Sequence, residues 1–119
     1  MALMQPTNVA VQSEEVTGAT TLAEANVGIA QLVTVSATLT LPSTSVEASF
    51  TIVNGGQKSV TISLSPAAAD KIIGNGFTSA DNKDAVNTLG NYGDSFTVTG
   101  NGTTGWVVSS VQGTWTREA

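Results

Sequence analysis

The stretch Phe50-Thr-Ile-Val-Asn-Gly-Gly-Gln-Lys-Ser-Val-Thr-Ile-Ser-Leu64 decides the fold. Phe50 and Ile52 alternate with Thr51 and Val53, and Val60, Ile62 and Leu64 alternate with Thr61 and Ser63. A period of two puts one set of side chains on a buried face and the other in water, which is the pattern of a half-buried strand. Between the two runs lies Asn54-Gly55-Gly56. These residues tolerate positive φ, so the spacing predicts a tight turn and a β-hairpin over residues 50–64.

The same alternation recurs on both sides. Ile29 to Val35 reads as a strand, and Thr38-Leu-Thr-Leu41 places Leu39 and Leu41 on one face before Pro42, which cannot donate to a ladder, ends it. Asp94 to Thr99 points Phe96 and Val98 inward, Gly100-Asn101-Gly102 turns the chain, and Gly105 to Val111 returns with Trp106 and Val108 on one face. Gln112-Gly113 turns once more before a last strand carrying Trp115. Trp106 and Trp115 are expected to fill the core. Lys71-Ile-Ile73 is a further short strand, next to an Ala67-Ala-Ala-Asp70 run suited to one helical turn. Thr21-Leu-Ala-Glu24 has capping-box spacing and predicts a short helical turn within residues 20–28. Six to eight short strands with turns between them predict an all-β fold, a small antiparallel β-sandwich or barrel.

Composition bounds the rest. The chain has 119 residues, enough for one domain, and 40% of them are hydrophobic. Only 11% are charged, well under the ~25% of a typical soluble domain. The surface is therefore covered by Thr, Ser, Asn and Gly. The 18 Thr and 14 Val favour strands, being β-branched and stiff at χ1. The net charge is −5, with four dispersed cations: Lys58, Lys71, Lys83 and Arg117. These cannot neutralise a run of phosphates, so neither nucleic acid nor an anionic membrane surface is an expected partner. No apolar run approaches the ~20 residues of a membrane span. Residues 1–12 lack the basic start and apolar middle of a secretory signal, so assembly in a cytoplasm is expected.

Histidine and cysteine are absent. That removes the usual general base, the usual nucleophile–base pairs and most zinc sites, so no enzymatic activity and no cofactor are expected. Gly100-Asn-Gly-Thr-Thr-Gly105 matches G-x-G-x-x-G, but a strand follows where a dinucleotide site needs a helix, so it reads as a hairpin turn. Asp81-Asn-Lys-Asp84 is acidic, yet Lys83 stands where a Ca²⁺ loop needs an oxygen ligand. Asn101-Gly-Thr103 is a glycosylation sequon, meaningful only in a secreted eukaryotic protein.

Two regions remain for function. Residues 1–17 are weakly patterned and read as an extended arm, dotted with Leu3, Met4, Val9 and Val11; residues 18–119 read as a single β domain. The polar stretch from Asn75 to Gly93 is long for a connection and is expected to carry a contact, with Phe77, Asp81, Lys83 and Tyr92 as its candidate residues.

The series Leu39-Thr-Leu-Pro42, Phe50-Thr-Ile-Val-Asn54, Val60-Thr-Ile-Ser-Leu-Ser-Pro66, Asp70-Lys-Ile-Ile-Gly74, Gly93-Asp-Ser-Phe-Thr-Val98 and Gly105-Trp-Val-Val108 resembles β-domains of tailed-bacteriophage structural proteins. Both capsid decoration (cement) proteins and fibre segments carry such domains, and the resemblance covers roughly residues 20–115. It implies a homotrimer on the virion exterior and brings no catalytic residues. No shaft, coiled coil or second domain is evident in the 119 residues, which favours a decoration protein bound to the major capsid protein on the outer surface of the head. The alternative is a fibre or spike module that binds host glycan through the 75–93 stretch, with Tyr92 as the stacking residue.

Overall fold

The computed structural model describes residues 13–44, 48–67, 70–77, 83–103 and 105–118. Eleven strands run through them: β1 (Ser13–Val16), β2 (Thr20–Thr21), β3 (Ala30–Val33), β4 (Ala37–Thr40), β5 (Ser49–Asn54), β6 (Thr61–Ser65), β7 (Lys71–Ile73), β8 (Ala85–Thr88), β9 (Ser95–Gly100), β10 (Gly105–Gln112) and β11 (Thr116–Arg117). They form two sheets, ordered β1-β3-β5-β9-β10-β7 and β11-β8-β6-β4-β2. One apolar core lies between them, so the all-β expectation holds.

The antiparallel expectation holds only in part: among the described strands β5–β9, β9–β10, β6–β8 and β8–β11 pair antiparallel, and the other pairs are parallel. β1, β3 and β5 pair in parallel, as do β2, β4 and β6, and β7 pairs in parallel with β10. The chain changes sheet at every step from β1 to β9, and only β9 and β10 are consecutive neighbours within one sheet. The first six strands are thus wound as a flattened two-sheet coil, in which each coil stacks beside the previous one as in a β-solenoid. Parallel pairing follows from this winding: a strand regains its own sheet only after the chain has crossed to the other and returned.

The hairpin expected over residues 50–64 is absent for the same reason. β5 and β6 lie in opposite sheets. Asn54 is still strand, Gly56 has φ −122°, and the positive φ falls at Gln57 instead. Gly55 N–H donates to Val33 O at 2.8 Å, so the chain continues alongside the preceding coil before crossing the core. The alternation does mark the buried face: Phe50, Ile52, Val60, Ile62 and Leu64 are all buried, but the two runs lie on opposite sheets across the core rather than side by side. The true two-residue turn is Asn75-Gly76, both at positive φ, flanked by the reciprocal backbone bonds of Gly74 and Phe77. Gly100 to Gly105 does join β9 to β10 as a hairpin.

At the N-terminal side, Ser13–Val16 belongs to the fold although sequence patterning assigns it to the arm. Val16 is buried beside Val33, and the Glu14 carboxylate accepts from Gln31 Nε2 and Asn26 Nδ2, which fixes β1 on the edge of the sheet. Residues 1–12 lie outside the described residues. The expected capping box is displaced too. Thr20–Thr21 is strand, the helical turn is a 3-10 turn at Glu24–Asn26, and Asn26 Oδ1 accepts from Ala23 N–H.

Aromatic rings carry much of the core. Trp106 is fully buried and meets Phe50 edge-on at 5.4 Å, while Phe96 meets Phe77 edge-on at 5.2 Å and stacks on Trp115 at 5.0 Å. Burying each such side chain stabilises the fold by about 2–3 kcal/mol, with about 1 kcal/mol more for each ring pair.

The strand directions give the sandwich two distinct ends. β1, β3, β5 and β10 finish at one end, where β2, β4 and β6 begin. Residues 34–36, 55–60, 89–94 and 113–115 cap that end, here named the upper end. Ser13, the β9–β10 hairpin, Asp84 and Glu118 lie at the lower end. A six-residue strand such as β5 sets them about 20 Å apart.

Candidate functional site

The upper end is organised by a buried polar node. Asn54 occupies an inward position at the close of β5, and Asn87 an inward position on β8 in the opposite sheet. Asn54 Nδ2 donates to Asn87 Oδ1 at 2.9 Å. Asn87 Nδ2 donates to Asp94 Oδ2 at 3.1 Å and to Thr114 O at 2.9 Å. Asn54 Oδ1 accepts from Gly56 N–H. Both amides therefore use their donors and their acceptor, as polar groups withdrawn from water must. Gly90 and Gly113 leave the room for this: a Cβ on Gly113 would run into the Asp94 carboxylate, and one on Gly90 into Asn87 and Asp94.

The node shapes the loop that follows β8. Asn91 N–H donates to Asp94 Oδ2, Tyr92 N–H to Gln57 Oε1 and Gly93 N–H to Asn54 O. Leu89 is held at φ +50°, a conformation that costs a non-glycine residue about 1 kcal/mol or more. Its side chain is 59% exposed and that of Tyr92 68% exposed. Val35, on the neighbouring arch, is 50% exposed. Three of the four large hydrophobic side chains exposed among the described residues thus sit at one end.

The lower end carries carboxylates. Asp84 N–H donates to Glu118 Oε1 at 2.8 Å, and Glu118 N–H returns a bond to Asp84 O, tying the exit of β11 to the entrance of β8. Burial raises the Asp84 carboxyl above its usual range, a hydrogen bond from Ser65 opposes the rise, and the neighbouring Glu118 carboxylate adds to it. On β1, the hydrogen bonds from Gln31 and Asn26 hold Glu14 below the usual range. Among the described residues, no group of three or more acidic, His or Cys side chains gathers as a metal site.

The stretch expected to form one contact loop is divided. Phe77 is half-buried and packs against the core at Phe96, Lys83 stands half-buried at the entrance to β8, and Tyr92 lies beyond its exit at the opposite end. Asp81 lies outside the described residues, as do Leu3, Met4, Val9 and Val11. Trp106 and Trp115 are buried, as expected of core residues. The sequence reading missed β8, Asn54, Asn87 and Asp94. β8 offers only Ala85 and Asn87 to the core, and an inward Asn carries no hydrophobic period. No described helix is long and apolar enough to cross a membrane. No protein-family model matches the chain, and no curated protein matches it in sequence.

Proposed function

We propose that this chain is a non-enzymatic decoration protein of a tailed-phage head, acting as a homotrimer that binds the major capsid protein on the outer surface and bridges its subunits. One observation carries the reading. Among the described residues β1 is the outermost strand of its sheet and Ser13 opens it at the lower end, so residues 1–12, with Leu3, Met4, Val9 and Val11, join the domain at an edge strand. Exposed edges need covering by charge, by a bulge or by another chain, and a trimer supplies the last. The absence of His and Cys from the sequence supports a role without chemistry.

The mechanism is linkage. A protein that binds only the assembled shell stabilises it by mass action, and three weak contacts from one trimer add as avidity. Deleting residues 2–12 should abolish binding to expanded capsids in co-sedimentation while the circular dichroism of the β domain is retained. A truncated protein that saturates capsids with unchanged affinity would refute the role of the segment. Analytical ultracentrifugation of the full chain tests the trimer.

A further inference from the structure

We propose that the upper end holds a shallow site for a neutral saccharide, with a pyranose ring stacked on Tyr92, its edge on Leu89, and its hydroxyls bonded to the side-chain amides of Gln57 and Asn91. This function is separate from shell binding.

The loop is built to present these groups. Three backbone N–H donors, those of Asn91, Tyr92 and Gly93, are each fixed by an acceptor, and two of the acceptors, Asp94 Oδ2 and Asn54 O, belong to node residues that are buried. A strained Leu89 persists only where its surroundings over-determine the backbone. The result is an aromatic ring and an aliphatic side chain held in water on a preformed loop, which saves the ordering entropy that a mobile loop would lose on binding.

The size and charge of the patch select the ligand. A stable protein interface needs about 800 Å² from each partner, and one Tyr and one Leu offer a fraction of that. A single sugar ring matches the area of one aromatic face. Within residues 34–36, 55–60 and 89–94 the ionisable side chains besides Tyr92 are the exposed Lys58 and the buried Asp94, and the Glu15 carboxylate accepts from Thr34 Oγ1 at the same end; a single cation and a carboxylate thus share this end, with no cluster of positive charge to select a phosphate or a carboxylate. Gln57 Oε1 accepts from the Tyr92 backbone N–H, which fixes the Gln57 amide against the loop, and its Nε2 is the donor proposed for a ligand hydroxyl. Asn91 is exposed and adds a donor and an acceptor. An apolar platform flanked by uncharged amides is the recognition chemistry of a neutral sugar, whose C–H face is apolar and whose rim is hydroxyl. The position also fits: the site lies about 20 Å from the end at which residues 1–12 join the domain.

The test uses the full-length protein on an array of neutral glycans, followed by saturation-transfer NMR with methyl glucoside, methyl galactoside and N-acetylglucosamine. The expected result is reproducible binding, reduced at least tenfold in Tyr92→Ala and kept in Tyr92→Phe, which preserves the ring. Absence of binding in both assays, or undiminished binding by Tyr92→Ala, overturns the proposal. Capsid binding by Tyr92→Ala is read in parallel and should match the wild type. Loss of capsid affinity in that variant would make the loop a protein contact and overturn the saccharide site, whereas failure of the wild type to bind capsids would strike the decoration reading alone.

Discussion

The Asn54 side-chain amide, on one sheet, donates at 2.9 Å to the Asn87 side-chain carbonyl, on the other. A sandwich core is held mainly by non-directional apolar contact, which permits the sheets to slide. This bond, with the two that Asn87 sends on to Asp94 and Thr114, fixes their relative position at the upper end. Asn87→Ala would strand a buried donor on Asn54 and remove a donor from Asp94. The expected loss is about 2–4 kcal/mol in urea denaturation. A loss below about 0.5 kcal/mol would mean that water replaces the amide without penalty.

Gly113 and Gly93 make a controlled pair, since both have positive φ and only one is crowded. A Cβ at Gly93 meets nothing within 4 Å, whereas one at Gly113 runs into the Asp94 carboxylate. Gly93→Ala should cost about 1 kcal/mol, from backbone strain alone. Gly113→Ala should cost at least about 1 kcal/mol more, because Asp94 must leave the node. Equal losses in thermal denaturation would show that the carboxylate moves freely.

The contrast between these residues and the strand residues explains how much of the molecule was legible. Phe50 and Ile52, Phe96 and Val98, and Trp106 and Val108 announce their buried faces because alternation is a local property of four or five residues. Pairing is not local. Ser13 stands beside Ala30 and Ala30 beside Thr51, so successive coils differ in length and leave no fixed repeat to find. An arch across the core and a hairpin within a sheet both present two alternating runs joined by Gly and Asn, so the 50–64 stretch carries the same local signal for either. Tyr92 was legible as an exposed aromatic in a polar stretch. The node beneath it was not, because Asn54, Asn87 and Asp94 become neighbours only through the crossing of β5, β8 and β9.

Glu14 sets an acid limit. Its hydrogen bonds from Gln31 and Asn26 favour the ionised form, so its folded pKa lies below its unfolded value of about 4.3. The stability it contributes is therefore complete above the unfolded pKa and is lost as pH falls through the folded one. Glu14→Gln keeps an acceptor oxygen but removes the titration. Its melting temperature should fall less steeply than that of the wild type between about pH 5 and pH 3. Parallel curves would assign the acid limb to other carboxylates.

Asp84 works in the opposite sense. Burial and the nearby Glu118 raise its folded pKa above the unfolded value, despite the bond from Ser65. The folded state then binds the proton more tightly than the unfolded state, so ionised Asp84 costs stability at neutral pH, and the cost is relieved as pH falls through the raised folded pKa. Partial exposure to solvent keeps the effect small. Asp84→Asn removes the charge and keeps an acceptor for Ser65. At pH 7 it should melt about 1–3 °C higher than the wild type, with the two curves converging as pH falls towards about 3.9, where the unfolded Asp also protonates. If Asp84→Asn instead melts lower at pH 7, the bond from Ser65 to the carboxylate outweighs burial, and the lower end is held by that bond rather than strained by the Asp84–Glu118 pair.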